Sequence, residues 1–339
     1  MKLLITGGVG FIGTNTALHF AKNKKNIITI VDDFSRPGVE VNANYLNKQI
    51  PNIQIIKSDI KDVQRYISVL KNADAVIHLA GQTAVTKSIQ DPLHDFETNI
   101  HASFVLLDTI RKMNPKMAFI YSSTNKVYGD LARHEIRKNK VKKQYEDVCH
   151  PKGLGEEEPV EFISPYGCSK GAFDMYALDF ARIYGMNTVV FRQSCIYGPF
   201  QMGVEDQGWV AHFSKQILKK NPITIFGDGL QVRDLLYVED LIEAYDLAIK
   251  NIKKVRGSAF NIGGGIKNAY SVIQVIKLLQ KNMNHVSPVT YVESRLGDQK
   301  YFVSSNKKIE KDLSWKAKTN FKQGLQHMID WQKKNLHLF

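Results

Sequence analysis

Tyr166 and Lys170 stand four residues apart in the segment Tyr-Gly-Cys-Ser-Lys. On a helix that spacing sets an ammonium one turn from a phenol. A free tyrosine titrates near ~10, so to act as a base near neutrality it must fall by roughly three units, about 4 kcal/mol. Cations within several Å, in a site of effective dielectric ~20, supply energy on that scale. The same spacing is also common on helix surfaces, where it does no chemistry. A second group of reactive types ends an apolar run. After Lys116-Met117-Ala118-Phe119-Ile120-Tyr121 come Ser122, Ser123, Thr124, Asn125 and Lys126. Three hydroxyls, an amide and an amine at a strand end suit a site. They equally suit a turn in which Ser, Thr and Asn bond their own backbone.

A third stretch concerns a cofactor. Thr6-Gly7-Gly8-Val9-Gly10-Phe11-Ile12-Gly13 follows one apolar run and opens another. In a strand–loop–helix, Gly7 allows the tight turn, Gly10 lets the backbone approach a pyrophosphate, and Gly13 lets helix and strand pack closely. The helix N-terminus offers N–H groups and a partial positive charge to phosphates. Asp32 ends the next apolar run. An Asp there accepts both ribose hydroxyls and repels a 2′-phosphate, which favours NAD over NADP. Arg36 lies close by and could cap an adenine or meet a phosphate, and Asp59 is placed to reach the adenine. With a nicotinamide at hand, Tyr166 and Lys170 read as a catalytic pair. The phenolate takes the proton of a substrate hydroxyl while the oxidised ring, the second positive charge, takes the hydride from the same carbon.

The elements that must position these groups alternate. KLLIT, NIITIVDD, IQIIKSD, DAVIHLAG, MAFIYSS and NTVVFRQS are predicted strands. TNTALHFAKN, residues 93–113 and SPYGCSKGAFDMYALDFARIYG are predicted helices. Such alternation implies a parallel sheet covered on both faces. The polar segment 131–163 reads as a surface excursion between a strand and a helix. After about residue 200 the pattern loses regularity.

Composition bounds the rest. A chain of 339 residues suits one large or two intimate domains. Hydrophobic content of 43% and charge of 23% are those of a soluble globular protein. No apolar run reaches ~18 residues, so no membrane partner is expected. MKLLITGG is too short for a secretory leader and reads as a first strand. Cys149, Cys168 and Cys195 form no CxxC, which argues against disulfides and structural zinc and fits the reducing cytoplasm. No HExxH or other close ligand set occurs among the ten histidines, and no metal is expected. The net charge of +13 comes from spread lysines, a solvated face that steers anionic ligands rather than a nucleic-acid site.

Taken together, TGGVGFIG, Asp32, HLAGQ at 78–82, Asn99, the hydroxyl strand tip, SPYGCSK, RDLLYVED at 233–240, AFNIGGG at 259–265 and SRLGDQ at 294–299 resemble the extended short-chain dehydrogenase/reductase superfamily of nucleotide-sugar epimerases and dehydratases. The resemblance covers nearly the whole chain. It implies an α/β fold, a doubly wound parallel (Rossmann) sheet with a smaller C-terminal substrate domain. NAD would bind 1–198 with a return segment at about 234–263, and a nucleotide sugar would bind 199–233 and 264–339. Carried over residue by residue, it implies cofactor contacts from Gly7, Gly10, Phe11, Ile12, Asp32, Asp33, Ser35, Arg36, Asp59, Ile60, Leu79, Ala80, Gln82, Asn99, Ser122, Tyr166, Lys170 and Gln193. Catalysis falls to Thr124, Tyr166 and Lys170, and substrate contacts to Thr124, Asn125, Gln207, Trp209, Arg233, Arg295 and Asp298. Arg233 and Arg295 match diphosphate-holding positions, a task that suits a bidentate guanidinium. The alternative for each is an ion pair with Asp234 or Asp298, and Trp209 could equally be core. Cys168 and Cys195 read as small packing residues near the site. In the family's 4,6-dehydratases an Asp and a Glu follow the strand-tip hydroxyl and eliminate water. Here Asn125 and Lys126 stand instead, so dehydration is not expected. SSTNKVYGD, DQGWV at 206–210 and SPYGCSKGA look closest to 2-epimerases of CDP-linked 3,6-dideoxyhexoses. The partners implied are a nucleotide-diphosphate sugar, CDP-linked, and further copies of the chain in a homodimer or homotetramer.

Overall fold

The computed structural model describes residues 1–338; Phe339, the last residue of the expected substrate domain, lies outside the described residues. Fifteen strands follow in chain order. They are β1 (Lys2–Thr6), β2 (Ile27–Asp32), β3 (Gln54–Lys57), β4 (Ala75–His78), β5 (Ala118–Thr124), β6 (Ile136–Asn139), β7 (Gln144–Asp147) and β8 (Asn187–Gln193). Then come β9 (Cys195–Tyr197), β10 (Ile223–Phe226), β11 (Val232–Tyr237), β12 (Ser258–Ile262), β13 (Ala269–Ser271), β14 (Val289–Val292) and β15 (Tyr301–Phe302). The main sheet is wholly parallel in the order β12-β8-β5-β4-β1-β2-β3. The order reverses beside β1, the switch point where an open α/β sheet leaves a crevice at its carboxyl edge.

Apolar residues alternate to both faces of the sheet, because parallel strands are buried on both sides. Leu3, Ile5, Ile30, Ile77, Ile120 and Phe191 face one core, and Leu4, Val31, Val76, Phe119, Tyr121 and Val190 the other. A third core around Phe213, Ile225, Leu235, Leu279 and Leu325 holds the C-terminal lobe. There β11 pairs with β9, β13 and β15.

Of the helices, α1 (Phe11–Ala21), α2 (Val39–Gln49), α3 (Ile67–Asn72), α4 (Val85–Gln90), α5 (Pro92–Phe96), α6 (Ala102–Met113), α7 (Ser164–Tyr184), α8 (Trp209–Leu218) and α9 (Val238–Lys250) matter here. Three differ from the sequence expectation. Helix α1 begins at Phe11, before the expected Thr14. Helix α2 is not among the expected helices; it buries Val39, Ala43 and Leu46, with Asn42 beside them donating to the Val9 carbonyl at 3.0 Å. The expected helix 93–113 is broken by a π-helical turn at Glu97–His101 that contains the buried Asn99. Such turns admit an extra residue and occur often at functional sites.

The segment 131–163 is not a simple surface excursion. It contains the antiparallel hairpin β6–β7, and Leu131 and Leu154 are buried with Val127, Tyr128 and Phe302. The Tyr145 N–H donates to the Leu230 carbonyl at 2.9 Å, and Leu154 bridges to Ser304. No helix among the described residues is long and apolar enough to cross a membrane.

Candidate active site

At the cofactor end the backbone does most of the shaping. Gly7 takes φ +67°, and a Cβ there would come 2.7 Å from the Ala80 nitrogen. A Cβ on Gly13 would meet the Gly7 carbonyl oxygen and Gly8 Cα at 2.5 Å. Both positions therefore require glycine, while Gly10 begins α1 in extended conformation. The first N–H groups of α1, from Phe11 on, have no intrahelical acceptor. Asp32 closes the loop: its Oδ2 accepts from the Val9 N–H at 3.1 Å and its Oδ1 from Phe34 at 3.0 Å. Burial pushes its carboxyl above the ordinary range.

Other residues expected at the cofactor stand at or just beyond the carboxyl ends of the main-sheet strands, with Asn99 in the π-helical turn. Asp33 accepts from the Ser35 N–H and hydroxyl. Asp59 accepts from the Lys61 N–H, and Ile60 is buried beside it. Leu79 and Ala80 follow β4, with Ala80 against Gly7. The Gln193 amide donates to the Ser122 hydroxyl at 2.8 Å. Gln82 donates to the Ala84 carbonyl and to Asp95, both at 2.9 Å, and so braces its own loop. The Asn99 amide donates to the Gln82 carbonyl, to Asp95 and to Ser169. Its Oδ1 is buried without a partner, next to Gly81, where a Cβ would stand 2.7 Å from it.

The hydroxyl tip ends a strand and starts a turn: β5 runs through Thr124, which registers with Gln193 on β8. A 3-10 turn follows at Asn125–Tyr128, capped by Thr124, whose hydroxyl accepts from the Lys126 N–H at 3.2 Å. Ser123 takes no part in the site; it donates to the buried Asp174. Helix α7 opens after Ser164, which takes φ +76° and accepts the Gly167 N–H on its hydroxyl. That start sends Tyr166 and Lys170 inward, 9% and 6% exposed.

The charge logic of this pair differs from the sequence expectation. Burial pushes the Tyr166 phenol up to about 12; a hydrogen bond with Thr124 opposes the rise, Asp95 adds to it and Arg36 opposes it. Burial also lowers Lys170 to about 7, against Asp95 and Asp174. Its Nζ lies 4.3 Å from the centre of the Tyr121 ring. Counting charges along the sequence omitted desolvation, which in the protein alone outweighs them.

Thr124, Asn125, Tyr166, Gln207, Trp209, Arg233, Arg295 and Asp298 line one cavity of about 280 Å³. Arg233 pairs with Asp298 at 2.7 Å. Arg295 pairs with Asp206 at 3.1 Å and lies 3.8 Å from the Phe226 ring centre. Both arginines thus make ion pairs and also face the cavity; the acid beside Arg295 is Asp206, neither Asp234 nor Asp298. The Arg36 guanidinium donates to the Gln207 side chain. The Trp209 indole donates to the Cys195 sulfur at 3.4 Å. Cys195 belongs to the wall, whereas Cys168 is exposed and is not the packing residue expected.

Sequence reasoning missed the groups that fix the strand-tip turn. Asn125 donates to the Gln299 side chain at 3.1 Å, and Gln299 donates to the Gly129 carbonyl at 2.6 Å. Lys126 donates to the Gly297 carbonyl at 3.1 Å, with Asp298 at 3.6 Å; burial lowers it to about 8. Gln299 lies inside the SRLGDQ motif, but only the fold brings it to Asn125, 174 residues away.

Residues 3–263 match the NAD dependent epimerase/dehydratase family. A CDP-paratose 2-epimerase of Salmonella typhi is 44% identical, covering 98% of this chain and 99% of that protein. A dTDP-glucose 4,6-dehydratase of Salmonella typhimurium is 30% identical, covering 99% and 93%. Among solved structures, the UDP-glucose 4-epimerase of Thermotoga maritima with UDP-glucose superposes with a TM-score of 0.84 at 31% identity, covering 99% and 100%. The UDP-glucuronic acid 4-epimerase of Bacillus cereus, solved with UDP-glucuronic acid and NAD, gives 0.85 at 27% identity over the same shares.

Proposed function

Since the chain belongs to the NAD dependent epimerase/dehydratase family, its residues can be matched to one reaction, and we propose that it inverts C2 of CDP-paratose to give CDP-tyvelose. The observation that carries this reading is the strand tip. Asn125 and Lys126 hold the two positions where the dehydratase pattern has carboxylates, and both are locked to the Gly297–Gln299 segment. An amide neither donates nor accepts a proton at neutral pH, and the Lys126 amine is engaged by the Gly297 carbonyl and Asp298. Thr124 and Tyr166, which the hydride reaction needs, share the same cavity.

NAD fits the residues present. The glycine cradle, the Asp32 carboxylate and the unpartnered Asn99 Oδ1 surround the crevice beside Tyr166 and Lys170. Gly7, Gly10, Phe11 and Ile12 would hold the pyrophosphate, Asp32 and Arg36 the adenosine end, and Lys170 the nicotinamide end. When bound, NAD⁺ supplies the acceptor, and later the donor, of the hydride. Tyr166 would take the proton of the C2 hydroxyl and, once the 2-keto sugar has turned its other face to the hydride donor, return it to the same oxygen, which Thr124 holds. Arg233 and Arg295 hold the diphosphate, and Trp209 and Gln207 face the sugar or base. No net redox change occurs, so NAD stays bound between turnovers. The enzyme works in the cytoplasm as a homodimer or homotetramer. Support for self-association is the exposed apolar set Phe96, Met175, Tyr176, Ile183 and Tyr184, on or next to α5 and α7.

The test is proton NMR of CDP-paratose carrying deuterium at C2, incubated with purified enzyme and no added cofactor. CDP-tyvelose should form with the label still on C2. Label lost to solvent points to an enolate path. A 4-keto product from CDP-glucose or dTDP-glucose, at a comparable rate, overturns the reading of Asn125 and Lys126. The alternative is a reductase on the same fold or another nucleotide-sugar epimerase (a UDP- or dTDP-sugar 4-epimerase), and the two UDP-sugar 4-epimerase neighbours favour the latter. It would show as inversion at C4 of a UDP- or dTDP-sugar in the same assay.

A further inference from the structure

Outside the residues assigned to the site, the 131–163 segment brings two histidines and two carboxylates together. The rings of His134 and His150 stack with centroids 4.5 Å apart and planes inclined by 27°. Both present Nδ1 to one oxygen, Asp147 Oδ2, at 2.8 Å from His134 and 3.4 Å from His150. Both turn Nε2 to one carboxylate, Glu158, at 3.1 Å from His134 and 3.7 Å from His150. The two rings are therefore parallel bridges between the same two acids.

Hydrogen bonds satisfy one ring only. His134 has a partner on each nitrogen, Asp147 at 2.8 Å and Glu158 at 3.1 Å, whereas the Nδ1 of His150 is buried with no hydrogen-bond partner. A cation on the Nδ1 side would give that nitrogen a partner and share Asp147 Oδ2 between the rings. We propose that His134 Nδ1, His150 Nδ1 and Asp147 Oδ2 form a binding site for a divalent transition metal of the zinc class, with Glu158 accepting both Nε2–H groups behind it.

The three ligand atoms lie within 4.8 Å of one another. Tetrahedral zinc with bonds of about 2.0–2.2 Å sets its ligands about 3.4 Å apart; His150 already stands 3.4 Å from Asp147 Oδ2, and the 2.8 Å hydrogen bond of His134 to that oxygen would open to admit the ion. The outer groups also follow the pattern of metal sites, where a ligating histidine donates its other N–H to a carboxylate and a ligating carboxylate is itself hydrogen-bonded. Asp147 Oδ1 accepts the Cys149 and His150 N–H groups at 2.8 and 3.0 Å, which leaves Oδ2 directed at the rings. Two nitrogens and one oxygen select zinc-like ions over magnesium or calcium. His134 and Asp147 are almost wholly buried, and His150 keeps 31% of its side chain exposed, which provides the entry path and room for a water as fourth ligand. Spacing along the sequence hid the set, because His134 reaches Asp147 and His150 only when β6 folds back on β7. The metal would staple the hairpin segment that covers the C-terminal lobe.

The experiment uses untagged full-length protein with Cys149→Ser and Cys168→Ser, so that exposed thiols bind nothing. After chelator treatment it is titrated with Zn²⁺ by calorimetry and with Co²⁺ by visible absorption. The expected result is one equivalent per chain at micromolar Kd or tighter, a four-coordinate cobalt spectrum, and a rise in melting temperature with zinc. His150→Phe keeps the ring stack and removes the nitrogens; it should weaken zinc at least tenfold and abolish the rise. Glu158→Gln should weaken zinc by about 10–100-fold as an outer group. Failure to bind one equivalent at micromolar Kd or tighter overturns the proposal and leaves the cluster a hydrogen-bonded brace of the hairpin. Stoichiometric binding that survives His150→Phe overturns it as well, because the ion then sits elsewhere.

Discussion

The glycine loop after β1 and the Thr124–Lys126 turn after β5 end strands of one sheet at the same edge, yet they are built differently. The loop is a backbone object. Its shape follows from Gly7 and Gly13, where any side chain strikes main chain, and from Asp32 on the neighbouring strand. The turn is a side-chain object. Asn125 is held by Gln299 and Lys126 by Gly297, across more than half the chain. Local geometry fixes the cofactor half, and contacts between lobes fix the substrate half. A change of reaction within such a fold can therefore be confined to the second half.

Removing the phenol oxygen should have the largest effect, and it acts where the halves meet. Tyr166→Phe is expected to lower turnover by about 10²–10⁴-fold while bound NAD stays stoichiometric. Activity within about threefold of wild type, roughly 0.7 kcal/mol in the barrier, would remove Tyr166 from the chemistry. Next in size is Gly13→Ala, whose Cβ meets Gly7 and Gly8 backbone at 2.5 Å. The overpacking costs about 1–3 kcal/mol, and purified protein should carry little NAD. Full occupancy with an unchanged urea midpoint would break the contrast at its rigid end.

Gln299→Leu probes the other end. It leaves the Asn125 amide and the Gly129 carbonyl without their buried partner, at about 1–3 kcal/mol. Turnover should fall severalfold with NAD occupancy unchanged; a loss of NAD instead would show that the halves are not separable.

How much could be read in advance follows the same division. The parallel sheet, the glycine roles and the inward Tyr166 and Lys170 all rest on residues close in sequence or on one repeating period. What escaped rests on distant partners or on burial. Gln299 and the Arg295–Asp206 pair need both lobes in place. The buried face of α2 includes Asn42, whose amide serves the Val9 carbonyl. The upward shift of Tyr166 comes from desolvation, which no spacing rule contains.

The last test concerns stability alone, as a slope with pH. Lys170 sits at about 7 in the folded protein against about 10.4 unfolded. Between those values the unfolded chain holds a proton that the folded chain has lost. The penalty is complete below about pH 7, and stability of the NAD-free protein rises with pH from there to about 10. Lys170→Met should flatten that rise in urea midpoints, leaving the part that begins near pH 8 from Lys126. An unchanged slope would mean that Lys170 stays protonated in the NAD-free fold.

The strand order has a consequence for synthesis on the ribosome. β8 borders β5 on one side and β12 on the other, but β12 is made only after the chain has left the main sheet and passed through β9, β10 and β11. Until Ser258–Ile262 emerge, Val189, Val190 and Phe191 form an apolar strand with an open edge, the kind of surface on which nascent chains aggregate. A chain arrested at residue 250 should be retained by chaperones, and one arrested past residue 300 should be released with its sheet closed.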